Sequence, residues 1–194
     1  MFLVDWFYNM FLWLGFFKKE AKIVIIGLGN AGKTTLLHLL VTGSLKSHIP
    51  TLRPNAESFT YGNVNFKAYD LGGQQNLRFL WKQYVPDSKT IIVFMVDSSD
   101  YNSIIESKSE IHDILGDEHL SQSPLLILGS KCDAKGHHNR ENLIDLLDIR
   151  RFELGLNNSN NVPFDLIMTS SITRYGITDM LNWLDKCTDI IKNN

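Results

Sequence analysis

Continuous apolar runs recur at Lys22-Ile-Val-Ile-Ile26, Thr90-Ile-Ile-Val-Phe-Met-Val96 and Pro124-Leu-Leu-Ile-Leu128, with the length and branching expected of strands buried on both faces. Phe164-Asp-Leu-Ile-Met168 predicts a last strand of the same kind. Glu57-Ser-Phe-Thr-Tyr61 and Val64-Asn-Phe-Lys-Ala-Tyr69 are shorter extended runs, and Gly62-Asn63 between them predicts a tight hairpin turn. Helical spacing takes over in four places. These are Thr35-Leu-Leu-His-Leu-Leu40, Asn102 to Leu115 (with Ile104, Ile105, Ile111, Ile114 and Leu115), Asn142 to Leu147, and Ile177 to Ile191 (with Met180, Leu181, Trp183 and Leu184). Thr42 to Asn55, which holds Gly43, Pro50 and Pro54, has no period and predicts an irregular loop; Gly136 to Arg140 and Gly155 to Asn161 predict polar loops. Strand and helix alternate, so the expected class is α/β: a mostly parallel sheet covered by helices on both faces, with one antiparallel hairpin and ligands gathered at the carboxyl ends of the strands.

The amino terminus breaks this pattern. From Phe2 to Phe17 every residue is apolar or aromatic except Asp5, Asn9 and Gly15, and Lys18-Lys19 closes the run. The segment is shorter than the roughly 20 apolar residues that span a bilayer. A secretory signal would place positive charge before the apolar stretch and a small-residue cleavage site after it, and here the lysines follow. On a helix Asp5 and Asn9 share one narrow stripe, and Leu3, Trp6, Phe7, Met10, Phe11, Trp13, Leu14 and Phe17 cover most of the rest. That geometry suits a helix lying in a membrane interface, where aromatic rings are favoured and each lysine near an anionic surface adds on the order of 1 kcal/mol. A core or dimer helix is the alternative. Residues 1–19 are therefore expected to form an amphipathic membrane-binding helix, and residues 20–194 one globular domain.

Composition narrows the function further. The chain has 194 residues and a formal charge of −2, with a pI near 6.3, so it lacks the basic field that draws proteins to nucleic acid. Cys132 and Cys187 are far apart and form no C-x-x-C pair, which argues against a disulfide framework or zinc site. His137-His138 has no spaced ligands around it.

Residues 27 to 34 read Gly-Leu-Gly-Asn-Ala-Gly-Lys-Thr and follow the first strand directly. This G-x-x-x-x-G-K-T loop lets backbone N–H groups close around a polyphosphate, with Lys33 reaching its outer phosphates, Thr34 placed to ligate Mg²⁺, and a helix N-terminus adding its dipole. Asp70 ends an extended run before Gly72-Gly73, as an acid that helps hold the metal would, and Gln74 is placed to align an attacking water. Thr51 lies in the irregular loop, where a lone threonine carries no signal of its own. After the Pro124–Leu128 strand comes Ser130-Lys131-Cys132-Asp133. The carboxylate of Asp133 can accept two hydrogen bonds from guanine, which adenine cannot match, and Lys131 can lay its stem along the base. Thr169-Ser170-Ser171 follows the last strand and can offer the Ser171 N–H to the guanine carbonyl oxygen.

Together these pieces resemble the Sar-type small GTPases of the COPII vesicle coat, within the Arf superfamily. The resemblance is carried by Trp6-Phe-Tyr-Asn9, Gly27 to His38, His48-Ile-Pro-Thr-Leu-Arg-Pro54, Asp70-Leu-Gly-Gly73, Trp81-Lys-Gln-Tyr84, Arg174-Tyr-Gly176 and Asn182-Trp-Leu184. It implies a Ras-like P-loop fold, and GTP/GDP with Mg²⁺ held by Thr34, Thr51 and Asp70. It also implies nucleotide contacts from Gly27, Gly29, Asn30, Ala31, Gly32, Lys33, Thr34, Thr35, Gly73, Ser130, Lys131, Asp133, Ser170, Ser171 and Ile172, and GAP-stimulated hydrolysis through Gln74 and Lys33. Expected partners are endoplasmic reticulum membrane lipids, COPII inner coat subunits including the GAP, and a membrane-bound exchange factor, on the cytoplasmic face of the endoplasmic reticulum and Golgi. Phe2 in place of glycine excludes Arf-type myristoylation, so the aromatic helix is the expected anchor. Three positions depart from the family pattern: Gly29 for Asp, Gln74 for His, and Ser130 for the Asn of N-K-x-D. Serine is shorter than asparagine, and one lost hydrogen bond costs about 0.5–1.5 kcal/mol. A membrane adaptor with weakened nucleotide binding and little turnover is therefore the alternative reading.

Overall fold

The structure is a computed structural model that describes residues 18–46, 48, 49, 51, 53–155 and 162–193. Of the helix expected over residues 1–19, residues 1–17 with all the membrane-facing positions lie outside the described residues, as does the loop from 156 to 161. Lys19 opens a strand rather than closing the helix, because it pairs in register with Val64.

In chain order the elements are β1 (Lys19–Gly27), α1 (Lys33–Thr42), β2 (Asn55–Tyr61), β3 (Val64–Asp70), a 3₁₀ segment (Gln75–Leu80), α2 (Trp81–Tyr84), β4 (Thr90–Asp97), α3 (Tyr101–Gly116), a 3₁₀ turn (Leu120–Gln122), β5 (Leu125–Ser130), α4 (Arg140–Leu147), α5 (Arg150–Glu153), β6 (Phe164–Met168) and α6 (Ile177–Asn193). Six strands form one sheet in the order β2-β3-β1-β4-β5-β6. Only the β2–β3 pair is antiparallel. The hairpin between them turns at Gly62 with φ 56.

The apolar runs divide by strand alternation. Val24 and Ile26, Ile92, Phe94 and Val96, and Leu125 and Ile127 face α3 and α4 through Ile104, Ile111 and Leu143. Ile23 and Ile25, Ile91, Val93 and Met95, and Leu126 and Leu128 face α1 and α6 through Leu36, Leu37, Met180 and Leu184. Both faces are thus dry, which is why these strands read as unbroken apolar runs. Side-chain caps set the starts of α3 and α4: Asp100 accepts from the Asn102 and Ser103 N–H groups, and Asn139 from Asn142 N–H at 2.9 Å.

The structure corrects several boundaries. Arg140 is the first residue of α4 rather than part of the preceding loop, and Ile105 lies exposed on α3 rather than on its core face. Gln75 to Tyr84, for which the sequence offers no period, forms the 3₁₀ segment and α2. Tertiary contacts hold it: Trp81 is buried edge-on against Phe94 with rings at 88° and 5.9 Å, and its indole N–H donates to Gly72 O at 3.2 Å.

Candidate functional site

Lys33, Asp70, Asp97 and Ser130, four of the polar groups that the fold buries, all stand at the carboxyl ends of the parallel strands or just beyond them. There the turn from β1 into α1 runs through Gly27 (φ 131), Asn30 (φ 64) and Gly32 (φ 92), left-handed conformations that suit glycine and asparagine. A Cβ at Gly27 would meet Met95 O at 2.2 Å, so the loop needs glycine there for space as well as for φ. The loop edges a cleft of about 210 Å³ lined by Gly29, Asn30, Gly32, Lys33, Thr34, Thr35, His48, Ile49, Thr51, Gly73 and Gln74. A larger groove of about 960 Å³ at the opposite end of the sheet, bordered by Val85, Pro86, Pro124 and Ile190, contains none of these groups.

Inside the cleft the Lys33 ammonium donates to Gly27 O at 2.9 Å and Leu28 O at 2.7 Å. Burial pushes its pKa down to about 8; Asp70 opposes this and Arg78 adds to it. Thr34 Oγ1 donates to Asp70 Oδ2 at 2.6 Å and lies 2.7 Å from Thr51 Oγ1, which itself donates to Asp70 Oδ2 at 3.2 Å. Two hydroxyls and one carboxylate from three separate elements therefore meet at one point. Burial raises the Asp70 carboxyl above the ordinary carboxylate range, against the hydrogen bond from Thr34, the charge of Lys33 and the hydrogen bond from Thr51. Its second oxygen, Oδ1, is buried with no hydrogen-bond partner among the described residues. A hard divalent cation fits this oxygen set, because it would satisfy the orphaned oxygen and favour the charged form that burial disfavours. Among the described residues no group of three His, Cys, Asp or Glu side chains offers a competing metal site.

The segment after β3 closes onto the phosphate loop. A Cβ at Gly73 would lie 2.3 Å from Gly27 O, 2.4 Å from Leu28 C and 2.6 Å from Gly29 N, so only glycine permits this approach. Gln74 follows, exposed at the cleft mouth. The space beside Gly29 is open, with nothing within 4 Å of a built Cβ.

Next to this cleft lie the two candidate base-reading loops. Cys132 N–H donates to Thr169 O at 3.2 Å, which sets Lys131 to Asp133 beside Thr169 to Ile172. Lys131 adopts φ 58, and its ammonium pairs with Asp97 Oδ2 at 2.6 Å. Burial works to raise the Asp97 pKa, but the Lys131 ammonium and the Ser99 hydroxyl and N–H outweigh it and hold the group below its ordinary value. Asp133 and Ile172 are exposed, while Ser170 is buried with its hydroxyl accepting from Thr173 N–H at 3.0 Å. Ser130 Oγ lies within donating distance of Ala31 O (2.8 Å) and Val96 O (3.0 Å). The shorter side chain therefore still ties β5 to the phosphate loop.

Sequence reasoning missed three groups around the site. Asp97 anchors Lys131, and an acid at the end of a buried strand could have signalled it. Arg78 donates to Gly73 O at 3.4 Å and to Glu106 and Glu110, both at 2.5 Å. His48 lines the cleft itself.

The sequence model of the ADP-ribosylation factor family matches residues 7–188. The small COPII coat GTPase SAR1 of Giardia intestinalis is 37% identical over 186 residues, covering 94% of this chain and 97% of that protein. ADP-ribosylation factor-like protein 8b of Arabidopsis thaliana is 36% identical over 185 residues, covering 95% and 94%. Among solved structures, the Arl6 BBS3 small GTPase of Trypanosoma brucei, determined with the bound nucleotide analogue GppNp, matches with a TM-score of 0.76 and 28% identity over 88% of this chain and 98% of that one. With this Ras-like P-loop fold and a family match along nearly its whole length, the chain belongs to the ADP-ribosylation factor family of small GTPases.

Proposed function

We propose that the protein is a GTP-binding and hydrolysing switch of the Sar type, which in its GTP form inserts the aromatic segment before Lys18 into the endoplasmic reticulum membrane and recruits COPII inner coat subunits. The observation that carries the switch reading is the meeting of Thr34, Thr51 and Asp70. Thr51 belongs to the irregular loop, and a ligand joining that loop to the phosphate loop couples loop position to whether the outermost phosphate is present. In this reading Gly27 and Gly29 to Thr35 cradle the phosphates, Lys33 steadies charge on their outer oxygens, and Gln74 orients the attacking water. Thr34, Thr51 and Asp70 would hold Mg²⁺, which when bound neutralises charge building on the phosphoryl oxygens. Asp133 accepts from guanine, Lys131 covers the base, and Ser130, Ser170, Ser171 and Ile172 complete its pocket.

The Sar assignment is supported by the SAR1 relative and the Sar-like motifs, and the near-equal likeness to an Arf-like protein makes an Arf or Arf-like membrane switch the second reading. Against the non-cycling adaptor stands the link that Ser130 keeps to Ala31 of the phosphate loop, and GTP turnover decides between adaptor and switch. Among the described residues no helix is long and apolar enough to cross a membrane. The test is GTP turnover by the purified chain with and without the COPII GAP, together with recruitment of the inner coat to liposomes. Stimulated turnover with GTP-dependent recruitment is expected. Turnover without recruitment favours the second reading, and no turnover with or without GAP overturns the switch.

A further inference from the structure

His48 lies in the irregular loop three residues before Thr51, and its ring lines the cleft with Lys33, Thr34, Gly73 and Gln74. It packs tilted on His38 of α1, with ring centroids 5.0 Å apart at 57°. His38 is itself fixed, its Nδ1 lying 3.0 Å from Ser44 O and 3.2 Å from Thr42 Oγ1. That wall sets the plane of His48. Yet His48 Nε2 is buried with no hydrogen-bond partner among the described residues. A buried ring nitrogen without a partner is unfavourable, and in a cleft edged by a phosphate loop the missing partner is a ligand oxygen.

Building on the nucleotide reading, we propose that His48 is a specificity-determining residue that donates from Nε2 to the outermost phosphate of a nucleoside triphosphate, so favouring the triphosphate over the diphosphate. Its neighbours decide which phosphate. His48 shares its loop with Thr51 and lines the same cleft as Gln74. In the nucleotide reading Thr51 and Gln74 serve the outermost phosphate and the amides around Gly32 the inner ones, so the outermost phosphate falls to His48. His48 thus reports the same phosphate as Thr51 through a bond to the ligand itself. Neutral imidazole suffices, because one ring N–H is the donor.

The test uses the full chain with His48→Ala, His48→Gln and His48→Phe, measuring affinity for a non-hydrolysable GTP analogue and for GDP, both with Mg²⁺. Loss of one such bond is expected to weaken the analogue roughly tenfold in the Ala and Phe variants, with GDP within about twofold. Gln, which keeps a side-chain N–H donor, should recover most of the loss, and Phe keeps a ring against His38, so a purely structural role for the histidine would leave Phe near wild type and Gln impaired. A wild-type ratio of triphosphate to diphosphate affinity in both Ala and Phe, or equal loss of both nucleotides, overturns the assignment. Wild-type protein that binds neither nucleotide overturns the nucleotide reading instead, before any variant is compared.

Discussion

At the end of β5 the Ser130 hydroxyl is the group that joins the base-reading loop to the phosphate loop, through Ala31 O. Replacing it with alanine leaves a buried carbonyl without that donor, at a cost of about 1–2 kcal/mol. Release of a fluorescent GDP analogue from Ser130→Ala should accelerate roughly five- to thirtyfold; unchanged release would mean that Val96 and Ala31 find other donors. Gly73 presents the opposite case, since any side chain strikes backbone atoms rather than flexible ends. Gly73→Ala must push the segment off the phosphate loop, so affinity for a GTP analogue should fall far more than affinity for GDP. Equal affinities for both would show that the close approach does not serve the outer phosphate. Lys33 makes a pH prediction. Its pKa of about 8 lies below the ordinary 10.5, so the folded, ligand-free protein binds fewer protons than the unfolded chain between those values. The stability penalty is full below pH 8 and is relieved as pH rises through that window. A polyphosphate restores the charged form, so nucleotide binding at about pH 8.5 should take up a fraction of a proton. Calorimetry in two buffers of different ionisation enthalpy reads this directly, and zero uptake would place Lys33 fully charged in the free protein.

Among the elements, strands were legible wherever burial on both faces made the run apolar, and the phosphate loop was legible because its chemistry requires fixed glycines, lysine and threonine at fixed spacing. The Gln75–Tyr84 segment was not, for its order comes from across the chain. Arg78 reaches Glu106 and Glu110 of α3, and Trp81 reaches Gly72. No local periodicity encodes such contacts. His48 escaped for a related reason: a lone histidine in an irregular loop carries no pattern until His38 and the cleft surround it. Arg78 is mostly sheltered, with 14% of its side chain exposed against 24% for Glu110, so this pair is more than a surface bridge. Arg78→Ala should therefore raise amide hydrogen exchange across residues 75–84 by about tenfold or more while leaving β1 and β4 protected. Protection unchanged in that segment would assign its order to Trp81 alone.

In the proposed switch a phosphate at one end of the sheet controls attachment to a membrane by the whole molecule. Lys22 and Lys67 stand in register on neighbouring β1 and β3, both near the Tyr69 ring, with ammonium groups 5.0 and 5.5 Å from its centroid. Like charges opposite one another cost stability unless something anionic gathers them. They lie in the strands that begin beside Lys18 and Lys19, where the aromatic segment joins the body. An anionic bilayer would satisfy both features, with aromatic side chains contributing roughly 25 cal/mol per Å² of buried apolar surface and each lysine on the order of 1 kcal/mol. Full-length protein with a non-hydrolysable GTP analogue should thus float with liposomes containing anionic lipid. Replacing Trp6, Phe7 and Trp13 with alanine should reduce flotation to background, because it removes a large share of the apolar area and the aromatic rings that favour the interface. Replacing Lys22 and Lys67 with glutamine should weaken it by a smaller, salt-sensitive amount. Nucleotide affinity should hold in both variants, whose changes lie outside the cleft. Flotation by the aromatic triple variant, or equal flotation with GDP and the GTP analogue, would show that the aromatic segment before Lys18 is not the nucleotide-controlled anchor.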